Sequence, residues 1–288
     1  MSLVPGGTTP DLMFEGPVLP SFPLVSAHAT SLIPYAIETY DKQDATFCSL
    51  TMEDALGKYV QESFDFTVDE LDLKKGIDTT FAPNTDQLGP QITALKGAGC
   101  DVLMTGGVGG FLQTLAVQSV QQDYAPLVLA GNSAYNITLA TGPGAQWLSE
   151  NAIISVPGDE WLGTNAPGQA MMIEDLEAIN PDYTPTANAH LTGYVNALFT
   201  AKLLAQAIED GDLSRAGIAT AATELGTWKD ELGLVGGDVV IGTEPSDRVP
   251  PHKLSMFRID GSVPTGLKLE EYYYDSEVAQ KYIDSVTP

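Results

Sequence analysis

From residue 45 to residue 156, short apolar runs alternate with longer segments of helical spacing, and this alternation restricts the fold more than any single residue does. Strands are expected at Ala45–Leu50, Ile77–Phe81, Asp101–Thr105, Leu127–Ala130 and Ala152–Val156. Helices are expected between them at Glu53–Leu71, Thr85–Leu95 and Phe111–Gln122, preceded by Ala27–Tyr40, where Ala29, Leu32, Ile33, Ala36 and Ile37 make one apolar face. Connections long enough to hold a helix are what parallel strands need, so the spacing predicts a parallel sheet between two helix layers.

The sharpest point in this pattern is Cys100–Phe111, CDVLMTGGVGGF, where an apolar strand runs into Gly106, Gly107, Val108, Gly109 and Gly110 before the next helix. Glycines at a strand end let backbone approach a ligand, and the following helix offers free N–H groups. No third glycine follows Gly109 at dinucleotide-fingerprint spacing, since Phe111 and Leu112 stand there, so a nucleotide cofactor is not supported. The plain alternative is a tight strand–helix turn with no ligand.

After Pro157–Gly163 the regime changes. Three helices are expected without strands between them, Asn165–Ile179, Ala189–Glu209 and Ser214–Glu224, with Asp212 and Leu213 in a capping turn before Ser214. Leu234–Gly242, Lys253–Ile259 and Leu267–Tyr274 read as strands or ribbons, and Glu277–Val286 as a closing helix. The front of the chain, Leu3–Leu24, is rich in proline and glycine and reads as a short strand, a loop and an extended crossing.

The chain has 288 residues, 43% of them hydrophobic, enough for a core and for two lobes. Its 38 acidic against 13 basic side chains give a net charge of −25, which disfavours nucleic acid and anionic lipid as partners. No window reaches membrane-span length. MSLVPGGTTP has neither a charged region nor an apolar one of secretory type, so a signal is absent from this sequence or has been removed.

Little in the chain suggests chemistry on a substrate. His28, His190 and His252 lie far apart without partners at metal-ligand spacing and are expected at the surface or at helix ends. Gly131-Asn132-Ser133-Ala134-Tyr135 lacks the second glycine of a nucleophile elbow. Cys48 and Cys100 are expected to be free thiols in the core, Cys48 too buried to serve as a nucleophile. The carboxylate pairs Glu53-Asp54 and Asp159-Glu160 sit where helix starts favour negative charge. What does cluster at strand ends is a set of hydroxyls, amides and glycines: Thr8, Thr9, Thr51, Gly106–Gly110, Asn132, Ser133 and Tyr135, a set that orients a small ligand without reacting with it.

The order of these segments resembles the type 1 periplasmic-binding-protein family, in particular the branched-chain amino-acid (leucine/isoleucine/valine) binding proteins of ABC transporters. The stretches that carry the resemblance are ATFCSLTMEDALGKYV, NTDQLGPQITALKGAGCDVLMTGG, LTGYVNALFTAKLLAQAIEDGDLSRAGIATAATEL and GLVGGDVVIGTEPSDRVPPHKLSMFRIDG, and together they span nearly the whole chain. The resemblance implies an α/β fold of two doubly wound Rossmann-like lobes joined by a three-crossing hinge at Pro20–Leu24, Pro157–Trp161 and Pro250–Lys253. It divides the chain into residues 1–20 as a remnant of lobe 1, 21–157 as lobe 2, 158–250 as the return to lobe 1, 251–262 as the last crossing and 263–288 as a C-terminal extension. In the family's order, the first strands of lobe 1 would precede residue 1, so the helices of residues 165–224 are expected to lie on an incomplete sheet with apolar surface exposed.

VPGGTTPDLM resembles the loop on which the family holds its ligand's carboxylate, which places Gly6 and Thr8, with Thr9 beside them, at that end. In the second lobe the family's aromatic before the turn glycine is Leu56 here, and the aromatic after the paired glycines, at Gly107, is Val108. Asn132, with Ser133 beside it, stands where an acidic residue usually meets the ligand's ammonium, and Tyr135 is a candidate aromatic wall. An amide accepts a hydrogen bond from an ammonium without neutralising it, which favours a small carboxylate, amide or aromatic acid over a zwitterion. The expected function is therefore capture of a small organic ligand outside the cytoplasm and its delivery to the permease subunits of an ABC transporter. No cofactor, metal, nucleic acid or catalysis is expected, and the address is periplasmic or extracellular, free or lipoprotein-anchored. The rivals are a cytoplasmic sensor on the same fold and an enzyme working through Cys48 or a strand-end carboxylate.

Overall fold

A computed structural model gives the structure of residues 2–3, 9–14, 18–182 and 189–288. The chain opens with β1 (Ser2–Leu3), a single helical turn α1 (Pro10–Phe14) and β2 (Val18–Leu19), then enters α2 (Ala27–Tyr40). The alternating region follows: β3 (Phe47–Met52), α3 (Ala55–Glu70), β4 (Lys75–Phe81), α4 (Gly89–Gly97), β5 (Val102–Gly106), α5 (Phe111–Gln121), β6 (Leu127–Gly131), α6 (Ala145–Asn151) and β7 (Ala152–Val156). Next come α7 (Pro167–Ile179), α8 (Ala189–Glu209), α9 (Arg215–Leu225), β8 (Thr227–Trp228), β9 (Val239–Val240), β10 (Leu254–Ile259), β11 (Leu267–Tyr274) and α10 (Glu277–Val286).

Seven strands form one sheet in the order β11-β10-β7-β6-β5-β3-β4. The five from β4 to β7 are parallel, and β10 and β11 add an antiparallel edge. Strand alternation sends Cys48, Leu50, Leu103, Val128, Ala130 and Ile154 to the face covered by α4, α5 and α6. Phe47, Val102, Met104, Leu129 and Ile153 go to the other face, under α2 and α3. Both faces are covered, so β3, β5 and β7 are buried at every residue and carry no charged residue, only Ser49, Thr51, Thr105 and Ser155 breaking their apolar character. Residues 263–288 supply the edge strand β11 and helix α10, which packs on α2 and α3.

A second core gathers α7, α8 and α9 with Leu19, Phe22, Trp228, Leu234 and Val239. Among the described residues, its strands are two pairs, β1 parallel to β2 and β8 antiparallel to β9. Ser214 caps α9 by accepting from the Gly217 N–H at 3.1 Å, and Asp212 accepts from the Ser214 N–H at 2.8 Å, as the capping-turn reading expects. Apolar side chains do stand in solvent here, among them Met171, Leu204 and Ile208.

The structure departs from the sequence reading in the ribbon and the cysteines, and adds detail elsewhere. The ribbon expected over Leu234–Gly242 shrinks to Val239–Val240. The Asp230 carboxylate gathers the N–H groups of Leu234, Val235, Gly236 and Gly237 at 2.8–3.3 Å, taking them out of any ladder. Helix α6, seven residues long, lies in a stretch to which the sequence reading assigned no element. Cys48 and Cys100 are not free thiols: they form a disulfide, with Cα atoms 5.8 Å apart. His28 lies at a helix end as expected, second in α2, and is only 7% exposed.

Candidate ligand cleft at the strand ends

Strand order reverses between β3 and β5, because the chain goes from β3 out to β4 and returns to the other side of β3 to form β5. Ligands of open α/β sheets bind outside the carboxyl ends of the strands at such a switch point. The rim here consists of the turn after β3, the glycine turn after β5, and the short helical turn Asn132–Ala134 after β6.

The turn after β3 is closed by Asp54, whose side chain accepts from the Gly57 N–H at 2.8 Å and caps α3. A Cβ at Gly57 would stand 1.9 Å from the Met52 carbonyl oxygen, so the helix can start here only with glycine. Leu56 is half-buried and packs against the core beneath α2 and α3. Tyr59, three residues on and therefore on the neighbouring helix surface, reaches the N-terminal segment instead. Its hydroxyl donates to Asp11 on α1. Burial first, then the Asp11 carboxylate, pushes the Tyr59 phenol up to about 12. The N-terminal segment is thus tied to α3 at Asp11. Gly6 and Thr8 lie outside the described residues.

The glycine patch has a packing cause at its first two positions. A Cβ at Gly106 would stand 2.8 Å from Val60, and one at Gly107 would stand 2.8 Å from the Phe81 ring and 3.1 Å from Phe111, two rings stacked with centroids 5.0 Å apart. Val108 projects from the turn and is 48% exposed. Ser133 donates to the Gly107 carbonyl at 3.2 Å, joining the β5 turn to the β6 turn.

Asn132 is half-buried, with its side chain near the His28 ring. The His28 Nδ1 lies 2.7 Å from Ser155 Oγ in β7, and a Cβ at Gly131 would stand 2.7 Å from the His28 ring. Burial pushes the imidazole down to about 4, the nearby Asn132 side chain opposing that fall. Tyr135 leaves the rim. Its hydroxyl donates to the Thr265 carbonyl at 2.7 Å, in the hairpin turn after β10, which is antiparallel to β7 and so turns at the opposite end of the sheet.

The structure therefore sets Gly107, Val108, Asn132 and Ser133 on the neighbouring turns after β5 and β6, holds Leu56 half-buried at the start of α3, and turns Tyr135 away, while Thr9 precedes α1, whose Asp11 is bonded to Tyr59. The sequence reading did not single out Asp11, Tyr59 or Ser155, nor give His28 a place here. A helical-face projection of α3 places Tyr59 beside Leu56, but the His28–Ser155 contact spans 127 residues and has no local signal. Among the described residues no cluster of metal-binding side chains occurs, and no helix is long and apolar enough to cross a membrane.

Solved structures share this architecture. A fatty acid ABC transporter substrate-binding protein from Thermomonospora curvata superposes with a TM-score of 0.82 at 19% identity, over 98% of this chain and 70% of that one. A branched-chain amino acid ABC transporter protein from Thermus thermophilus with bound valine gives 0.74 at 13% identity, over 92% and 69%. A leucine-binding protein from Thermotoga maritima gives 0.74 at 14% identity, over 94% and 72%. No curated protein sequence matches the chain. The profile described as "Periplasmic binding protein" matches residues 2–264, most of the chain. With the parallel sheet, its switch point and these neighbours, that match makes the chain a member of the periplasmic binding protein family, of the type 1 fold.

Proposed function

We propose that this protein is an extracytoplasmic solute-binding protein that captures a small organic acid between its two lobes and presents it to ABC permease subunits, without catalysing a reaction. The observation that supports this most is the bond from Ser133 to the Gly107 carbonyl, which joins the turns after β5 and β6 beside the switch point. These turns offer hydroxyl, amide and backbone groups of the kind that orient a small ligand. In this reading the carboxylate sits at residues 6–9, Val108 and Ser133 line the wall, and Asn132 meets the ligand's second polar group. The segments 20–24, 157–161 and 250–253 act as the hinge, with 21–157 moving as one lobe.

The Cys48–Cys100 disulfide favours an oxidising compartment over the cytoplasmic sensor, and it removes the thiolate that an enzyme reading would need. The neighbours named for fatty acid, valine and leucine are too distant in sequence to choose the acid. A thermal-shift screen against amino acids, their deaminated acids, aromatic acids and fatty acids, with nucleotides and sugars as controls, tests the proposal, because a ligand of the folded state raises Tm by mass action. Stabilisation by one class of acid is expected. A response confined to nucleotides or sugars would rule the proposal out.

A further inference from the structure

The edge strand β11 carries more residues than β10 can pair. Leu254 stands opposite Tyr274 and Met256 opposite Glu271, so Tyr272 and Tyr273 together face Ser255 alone, which makes a β-bulge. Tyr273 takes the left-handed conformation there, with a φ of 50°, which a bulky side chain adopts only at a cost in free energy. Its N–H donates to Ser255 Oγ at 3.1 Å, which pins the bulge to the large sheet. The two rings lie together, with centroids 4.4 Å apart. Tyr272 packs against the core of the late helices, and its hydroxyl donates to the Gly233 carbonyl at 2.9 Å, just before the turn whose N–H groups converge on Asp230. Tyr273 lies against Gly236, where a Cβ would stand 3.2 Å from its ring and 2.2 Å from the carbonyl oxygen of Lys253. Its hydroxyl oxygen is buried, and the hydroxyl proton finds no acceptor among the described residues, which is destabilising. One tyrosine thus fastens the large sheet to the second core, while its neighbour carries strain and an unmade bond at the same junction.

We propose that Tyr272 and Tyr273 are positioning residues for ligand capture: Tyr272 holds the two lobes in the arrangement seen here and Tyr273 opposes it, so that the bulge keeps this arrangement in balance with a second one. This rests on the proposed cleft and on the hinge at residues 250–253, which Tyr273 and Gly236 adjoin. A ligand moves such an equilibrium only by its differential affinity for the two arrangements, and a strong intrinsic preference for the wrong one lowers its apparent affinity. Two opposed contacts on adjacent residues keep that preference small.

Distance measurements between two spin labels on the full chain test this without any ligand. Labels at Gln121→Cys on α5 and Thr220→Cys on α9, both exposed, report the lobe arrangement, the native cysteines being bonded to each other. Tyr272→Phe keeps the ring and removes the donor, and is expected to raise the ratio of the second arrangement to the first by about 5-fold. Tyr273→Phe removes the unpaired hydroxyl and is expected to lower that ratio by a similar factor. A merely structural role for these residues would change Tm and leave the distances where they are. Shifts in the same direction, or unmoved distances in variants whose β10 amides stay protected from hydrogen exchange, overturn the proposal. An acid that raises Tm while the distances stay unmoved leaves the cleft standing and removes the bulge from it. If no acid of the screen binds, the capture role falls with the proposed function, whatever the distances show.

Discussion

Cys48 and Cys100 are bonded to each other across the start of the β3–β5 pair, with their Cα atoms 5.8 Å apart and a sequence separation of 52. The bond lies one strand-length below the turns that carry Leu56 and Gly107, so it ties together the two strands that flank the switch point. Closing a loop of this length restricts the unfolded chain by about 4 kcal/mol in the chain-entropy treatment. Replacing both cysteines with serine is expected to lower unfolding free energy by a few kcal/mol, up to that figure. Urea melts of the variant, and of the unaltered protein with and without reductant, check this; coincident curves would remove the role assigned to the bond.

His28 gives the stability a pH dependence whose sign follows from its burial. Its pKa falls from 6.5 in the unfolded chain to about 4 in the fold, so between those values the unfolded chain binds a proton that the folded chain does not. Stability is therefore fully present above 6.5 and is lost as pH falls towards 4, by about 3 kcal/mol. Denaturant melts near neutral pH and near pH 4 are expected to differ less, by about that amount, in a His28→Gln variant, where the carboxylates still titrate but the ring is gone.

The bond from Tyr59 to Asp11 anchors α1 to α3. Tyr59→Phe keeps the ring and removes the donor, and is expected to cost about 1 kcal/mol, the Asp11 side of the pair being exposed. Faster hydrogen exchange at Met13, whose N–H is bonded to the Thr9 carbonyl, is the specific readout. Unchanged exchange there would mean that α1 is held by its apolar contacts alone, Met13 and Phe14 packing with Leu24 and Ile283.

Two glycines inside helices are expected to respond oppositely to alanine. Gly193, exposed on α8, has nothing within 4 Å of an added Cβ, so Gly193→Ala gains helix propensity worth up to about 1 kcal/mol. Gly57→Ala drives a Cβ into the Met52 carbonyl at 1.9 Å and is expected to destabilise by more than about 2 kcal/mol, with the start of α3 displaced. Thermal melts of the pair read the contrast.

The alternation of strand and helix, the buried strands and the three late helices were legible because each depends on periodicity over ten or twenty residues. Ala189–Glu209 matches its expected bounds, and the resemblance to periplasmic binding proteins, carried by the order of many weak segments, agrees with the family match over residues 2–264. The rim was partly legible for the same reason, since strand ends announce themselves through Gly107, Asn132 and Ser133. The apolar ribbon at Leu234–Gly242 misled because one side chain, Asp230, outcompetes strand pairing for four N–H groups.

Sequence alone determined which segments are helices and strands, that the sheet is mainly parallel, and that its glycine turn marks the rim. Only the tertiary structure decided that Cys48 meets Cys100, that Tyr59 rather than Leu56 reaches the N-terminal segment, and that His28 and Ser155 stand behind Asn132. These are contacts between residues far apart in the chain, set by strand register and helix rotation, and no local propensity encodes them.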